Sequence, residues 1–132
     1  MPIREIDTGS RRELTFEYHE AGERQGDIRL RKVKRASRQV WEVAGVFIRA
    51  SARRRGLGTK LYERAARAAC ESGAPLASTE RVGEGMSDAF WEKQLRKGRA
   101  SVLCKRCGTG GQPVYVLSCP APSSLRGARK KR

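Results

Sequence analysis

Val40–Gly73, VWEVAGVFIRASARRRGLGTKLYERAARAACESG, is the stretch whose reading decides the fold. Val40 to Ile48 is an apolar run of strand character. It gives way at Arg49 to Arg55 to a loop loaded with arginine, passes through Gly56-Leu57-Gly58, and continues as a helix from about Leu57 to Glu71. Leu57, Leu61, Ala65, Ala68 and Ala69 recur at helical spacing along that helix. The unpaired N–H groups of a first helical turn point into the preceding loop, and the helix dipole adds partial positive charge there. Glycine at 56 and 58 removes the Cβ atoms that would hold a phosphate off the backbone. Arg53, Arg54 and Arg55 surround the same point with positive charge. The chemistry is that of a phosphate or pyrophosphate cradle.

Arg53-x-x-Gly56-x-Gly58 differs from the G-x-G-x-x-G of dinucleotide folds and from the P-loop. It resembles the R/Q-x-x-G-x-G/A signature of the GNAT superfamily, the N-acetyltransferases that bind acetyl-coenzyme A. The segment VFIRASA before it has the spacing of the family's V-x-P-x-x-R, with Ala50 where proline is frequent. AFWEKQLRKG, Ala89 to Gly98, looks like the family's A-F-Y-x-K helix, with Trp91 in the tyrosine position. The resemblance runs from Val40 to Ser118. It implies an α/β (α+β) GNAT-like fold, a mixed, mostly antiparallel sheet of about 6–7 strands with two main helices.

The resemblance also implies a site. Acetyl-CoA is the cosubstrate, its phosphates held by Arg53, Arg54, Arg55, Gly56, Leu57, Gly58 and Thr59, with Trp91 beside its thiol end. Val46, Phe47 and Ile48 offer backbone groups to the pantetheine arm, and one N–H polarises the thioester carbonyl like an oxyanion hole. The family's tyrosine often protonates the departing thiolate, whereas an indole N–H is a donor but no usable acid. Tyr62, Ser87 or Tyr115 serves instead, the thiolate leaves unassisted, as a thiol pKa near 8.5 permits, or the chemistry has been lost.

Within the strand, two residues break the apolar pattern. Gly45 suggests a bulge or a close backbone approach. Glu42, among Val40, Trp41, Val43 and Ala44, is partly desolvated and so a better proton acceptor. It also has the spacing of the general-base glutamate in the histone-acetyltransferase branch of the family. Glu42 is open to two roles, the catalytic base or one half of an ion pair with an arginine across the sheet.

Upstream, Pro2 to Ile6 has the character of a short edge strand, and ELTFEYH (Glu13–His19) alternates as a half-buried strand. A turn at Ala21 to Gly26, a strand from Asp27 to Arg35 and a short link at Ala36 to Gln39 complete an antiparallel meander with Val40–Ile48. Family members place one or two helices between their first strands, so this is a trimmed version. Downstream, Gly73 and Pro75 stop the helix, and Ala74 to Thr79 is a strand parallel to Val40–Ile48. After a loop at Glu80 to Met86, Ser87 caps a helix reaching about Lys97, and Ala100 to Ser118 is a hairpin.

A chain of 132 residues is one domain, taken as 1–119, followed by a basic, disordered tail at 120–132. There is no apolar run of membrane-spanning length and no signal-peptide core, so a cytoplasmic location with four reduced cysteines is expected. Cys104-x-x-Cys107 is half a zinc ribbon. Only Cys119 lies nearby and the sole histidine, His19, is distant, so no metal is expected.

Twenty-nine Lys and Arg against fourteen Asp and Glu give a net charge of +15, which attracts polyanions or simply solvates the surface. Two functions of different class follow. One is transfer of an acetyl group from acetyl-CoA to a primary amine by direct attack on the thioester. The other is a basic nucleic-acid- or ribosome-associated binding module using the tail LRGARKKR. Polycationic acceptors are disfavoured by the charge unless the groove is locally acidic. The acceptor and the oligomeric state, a dimer included, are not fixed by the sequence.

Overall fold

The structure, a computed structural model, describes residues 2–53, 55–78 and 86–119. Arg54, the loop at 79–85 and the tail at 120–132, with its suggested nucleic-acid role, lie outside the described residues. The chain forms strands β1 (Ile3–Ile6), β2 (Glu13–Glu20), β3 (Glu23–Arg35) and β4 (Arg38–Ile48), then helix α1 (Leu57–Glu71) and strand β5 (Leu76–Ala77). Helix α2 (Met86–Arg96) and strands β6 (Ala100–Cys104) and β7 (Val114–Leu117) follow. They build one seven-stranded sheet in the order β1-β2-β3-β4-β5-β7-β6. Every neighbouring pair is antiparallel except β4 and β5. This is the mixed, mostly antiparallel sheet with two helices that the sequence implies.

Both hairpins of the meander turn through two residues, Ala21-Gly22 and Ala36-Ser37, all at positive φ. Such turns match the right-handed strand twist, which is why they are shorter than the loops expected from composition. Gly26, expected in a turn, lies inside β3. A Cβ there would come 2.9 Å from the Phe47 carbonyl oxygen and 3.0 Å from Leu57 Cδ2. Its glycine lets the first turn of α1 sit down on the sheet. α2 begins ahead of the expected Ser87 cap, at Met86.

Both helices cover the same sheet face. Leu61, Tyr62, Ala65 and Ala69 of α1 and Phe90 and Trp91 of α2 share one core with Phe16, Ile28, Leu30, Val43 and Leu76. The alanines keep α1 close to the strands at the density of a packed interior. The opposite face carries no helix among the described residues. It holds a small apolar patch of Val40, Ala77, Val114 and Val116, and beside it a row of charged side chains.

The cysteines depart from expectation. Cys70, in the last turn of α1, is disulfide-bonded to Cys119, with Cα atoms 5.6 Å apart, and Cys104 to Cys107, with Cα atoms 5.8 Å apart. No described cysteine is free. The sequence argument addressed only the compartment. The fold brings the end of α1 against the segment after β7, and a tight turn closes the Cys104–Cys107 pair.

Candidate active site

The site is built where two strands part. β4 and β5 pair only at Trp41–Leu76 and Glu42–Ala77. Beyond Ala77 the chain follows β7: the Ser78 N–H donates to the Tyr115 carbonyl at 2.8 Å, and the Tyr115 N–H donates to Ser78 Oγ at 2.9 Å. Ser78 is fully buried. Residues 43–48 of β4, which include Val46, Phe47 and Ile48, therefore have no strand partner on the β5 side among the described residues. On the β3 side the ladder slips at Arg29–Gly45, leaving Ala44 as the extra residue of a bulge. Gly45 is also a close approach, because the Arg29 guanidinium lies over it where a Cβ would stand.

The fork leads toward the N-terminus of α1. Gly56 caps that helix in the left-handed conformation, φ 78°, with no side-chain hydrogen bond to the cap and no acidic residue in the first turn. The first intrahelical acceptor is the Gly56 carbonyl, taken by the Lys60 N–H at 3.1 Å. The N–H groups of Leu57, Gly58 and Thr59 lie ahead of the helical ladder and are open to an anion. A Cβ at Gly58 would meet no protein atom within 4 Å. The fold leaves that space free among the described residues.

The arginines divide. Arg53 Nε donates to the Ile48 carbonyl at 3.3 Å, which ties the loop back to β4. Arg55 forms a two-pronged pair with Glu20 of β2, at 3.3 and 3.2 Å. That hydrogen bonding, and then the charge, holds the Glu20 carboxyl below its ordinary range. Arg55 thus closes the rim of the cradle against β2. The sequence signals could not show this pairing, since the partners are 35 positions apart.

Glu42 sits at the apex of the fork, in the last β4–β5 pair, and is 1% exposed. Arg31 Nη2 donates to its Oε1 at 3.2 Å, and Arg35 Nε donates to its Oε2 at 3.0 Å. Both carboxylate oxygens are engaged, so the ion pair anticipated across the sheet is present, with two partners rather than one.

Trp91 is 1% exposed and stacks on Tyr115 at 6.3 Å between ring centres, with Phe90 edge-on at 5.5 Å. Tyr62 stacks on Phe90 at 4.2 Å. The Trp91 Nε1 and Tyr62 hydroxyl atoms are both buried without a hydrogen-bond partner among the described residues. Burial pushes the Tyr62 phenol from 10.0 up to about 12, against a weaker opposing pull from the Trp91 indole. A raised folded value means the contribution is fully present below pH 10 and is lost as pH rises through about 12. Its full size is about 3 kcal/mol at about 1.4 kcal/mol per pH unit. Tyr62→Phe is therefore expected to flatten the loss of stability between pH 10 and 12. Urea midpoints of both proteins across that window check this, and parallel curves would contradict it.

A strand fork opens toward an uncapped, glycine-lined helix N-terminus, and comparison with known proteins gives the family. Residues 7–95 match the acetyltransferase (GNAT) family. The chain belongs to the GNAT acetyltransferase family. Among solved structures, the aminoglycoside N-acetyltransferase AAC(6')-Iy in complex with CoA superposes with a TM-score of 0.61 at 16% identity, over 70% of this chain and 88% of that one. An aminoglycoside 6'-N-acetyltransferase complexed with coenzyme A gives 0.56 at 12% identity, over 92% of this chain and 99% of that one. AAC(6')-IG from Acinetobacter haemolyticus gives 0.55 at 15% identity, and there the chain spans only 63% of the other protein's length. These likenesses are of fold. No curated protein sequence matches the chain. No helix of the described residues is long and apolar enough to cross a membrane.

Proposed function

We propose that the protein is an acetyl-CoA-dependent N-acetyltransferase acting on a primary amine. The observation that carries this is the fork between β4 and β5, which leads to the uncapped N-terminus of α1 with free space at Gly58. Family membership supports it, as do CoA complexes among proteins of the same fold. Acetyl-CoA supplies an activated acyl group as its thioester. The phosphates lie against the N–H groups of Leu57, Gly58 and Thr59, with Arg53 and Arg55 nearby. The pantetheine arm takes the β4 edge at Val46, Phe47 and Ile48, where a backbone N–H polarises the carbonyl, and Trp91 closes the far side.

The neutral amine attacks that carbonyl, the C–N bond forms, the C–S bond breaks, and the amine's proton goes to Glu42 at the fork apex. Trp91 offers a donor but no acid. Tyr62, held protonated by burial, is likewise too weak an acid to give its proton to a thiolate. With Trp91 and Tyr62 set aside, we take the thiolate to leave unassisted, as its modest basicity allows.

The test is thermal. Acetyl-CoA is expected to raise Tm by roughly 10 °C at one hundred times its Kd, from about 2.7 kcal/mol of binding linkage and roughly 4 °C per kcal/mol for a chain of this size. No rise at millimolar ligand would falsify the proposal.

A further inference from the structure

Acetyl transfer leaves Cys104-x-x-Cys107 without a role. The pair sits at the rim of the sheet. Cys104 ends β6, the outermost strand, and Cys107 lies in the turn that leads to β7. The two are disulfide-bonded across Lys105 and Arg106. Both cysteines are partly buried against Val40, Ala77, Val114 and Val116, while Lys105 and Arg106 are exposed.

The two sulfurs are not equivalent. The Cys107 N–H donates to Cys104 Sγ at 3.2 Å. A backbone donor stabilises negative charge on the sulfur that receives it, so of the two possible thiolates that of Cys104 is favoured. A disulfide opens fastest toward the better-stabilised leaving thiolate, which makes Cys107 Sγ the atom under attack. The charge of the segment works in the same direction. From Lys93 to Arg132 the chain holds no Asp or Glu, and Lys105 and Arg106 stand between the two cysteines. Positive side chains favour thiolate over thiol and draw in an anionic nucleophile.

Backbone contacts keep the sulfurs together when the bond opens. Cys104 pairs in register with Val114. The Gly108 N–H donates to the Gln112 carbonyl at 2.8 Å, and the Gly111 N–H to the Gly108 carbonyl at 3.0 Å. A Cβ at Gly108 would stand 2.7 Å from the Gln112 oxygen, so glycine is what permits this closure. The turn is fixed by its own hydrogen bonds, and cleavage of the S–S bond leaves the two sulfurs within reach of each other.

We propose that Cys104–Cys107 is a thiol–disulfide exchange site for a small anionic thiol, with Cys107 Sγ the attacked atom and Cys104 the leaving thiolate. The attacking thiolate RS⁻ forms an RS–Cys107 bond as the Cys104–Cys107 bond breaks, and the electron pair goes to Cys104 Sγ beside the Cys107 N–H. A second RS⁻ then attacks the R sulfur, releasing RSSR and the Cys107 thiolate. The chain is reduced by two electrons and the small thiol is oxidised by two, with the protons of the two incoming thiols passing through solvent to the two cysteines. Return of Cys104 onto Cys107 before the second attack expels RS⁻ and restores the bond. The site stands apart from the acetyl-transfer reading and does not depend on it.

Iodoacetamide alkylation of two variants at neutral pH reads the asymmetry. Cys107→Ser retains the N–H of residue 107. Its Cys104 is expected to react about tenfold faster than Cys107 does in Cys104→Ser, the ratio that one hydrogen bond to a charged sulfur supplies. Equal rates, or a faster Cys107, overturn the proposal. The parent chain gives a second reading that needs no variant to fold. After exposure to reduced glutathione under native conditions and a quench with N-ethylmaleimide, peptide mass spectrometry is expected to find glutathione on Cys107 and maleimide on Cys104. Glutathione on Cys104 instead, or no opening at millimolar glutathione, overturns the site. Cysteamine, a cationic thiol, tests the substrate class. At equal thiolate concentration glutathione is expected to open the bond about tenfold faster, and Lys105→Glu/Arg106→Glu to erase that preference. Equal or faster opening by cysteamine, or a preference that survives in the double variant, overturns the assignment to an anionic thiol.

Discussion

Gly58→Val is expected to keep its Tm and lose its response to acetyl-CoA. A Cβ at Gly58 meets no neighbouring atom of the described residues within 4 Å, and the residue lies in the first turn of α1 without a positive φ. Nothing in the fold requires glycine there, and a helix prefers most other residues to glycine by roughly 0.3–1 kcal/mol. The apo variant should be as stable as the parent or slightly more so. Among the described residues the added Cβ meets nothing, so the valine is expected to obstruct a ligand lying on the N–H groups of residues 57–59. The expected ligand shift of roughly 10 °C should therefore fall to near zero. Gly56→Ala provides the contrast. Its φ of 78° is left-handed, so the substitution costs about 1–2 kcal/mol of backbone strain even without ligand. A Gly58→Val protein that still responds fully to acetyl-CoA would remove the phosphates from the α1 N-terminus.

Glu42→Ala is expected to lower stability by about 3–5 kcal/mol, since it strips a buried carboxylate from two guanidinium partners. That corresponds to a fall in Tm of roughly 10–20 °C. The cost arises from the arginines left behind: Arg35 has a side chain only 20% exposed, while Arg31, at 53%, can turn to water. Replacing all three side chains by apolar residues should then recover most of the loss, as it does when a buried ion group is exchanged for packed surface. Turnover distinguishes the second role. If Glu42 also accepts the amine's proton, Glu42→Gln assayed below its lowered Tm loses about 10²–10⁴ in kcat while its acetyl-CoA shift persists. Unchanged kcat would leave Glu42 as a structural anchor only.

The elements around the fork were legible because each rests on local pattern. The alternation in Glu13–His19, the apolar run Val40–Ile48 and the helical spacing of Leu57, Leu61 and Ala65 predict β2, β4 and α1. Gly45 marks the bulge within one residue of Ala44. What the sequence could not show depends on register. The two-residue turn at Ala36-Ser37 sets Arg31 opposite Glu42, and a longer link would have moved both arginines. The Glu20–Arg55 pair and the Cys70–Cys119 bond need the whole sheet in place, at separations of 35 and 49 residues. Arg24 shows the same limit: charge counting makes it one more basic side chain, and only strand pairing places it over Phe47 between two carboxylates. Gly26 was misread as a turn residue because glycine signals both turns and close approaches, and only the packing of Leu57 separates them.

The two-residue contact between β4 and β5 has a mechanical consequence. One half-sheet, β1 to β4, is a continuous meander with long ladders, and the other, β5 to β7, is a short hairpin layer. Among the described residues, only the Trp41–Leu76 and Glu42–Ala77 pairs run between them, helped by the Trp41 N–H donating to the Pro75 carbonyl at 2.9 Å. The sheet is thus two plates riveted at one end and held from behind by α1 and α2. A molecule lying in the open end would complete a row of backbone partners that the described residues of the two plates do not offer each other, and so would act as the missing length of seam. Occupancy of the fork and rigidity of the two plates relative to each other become one property rather than two.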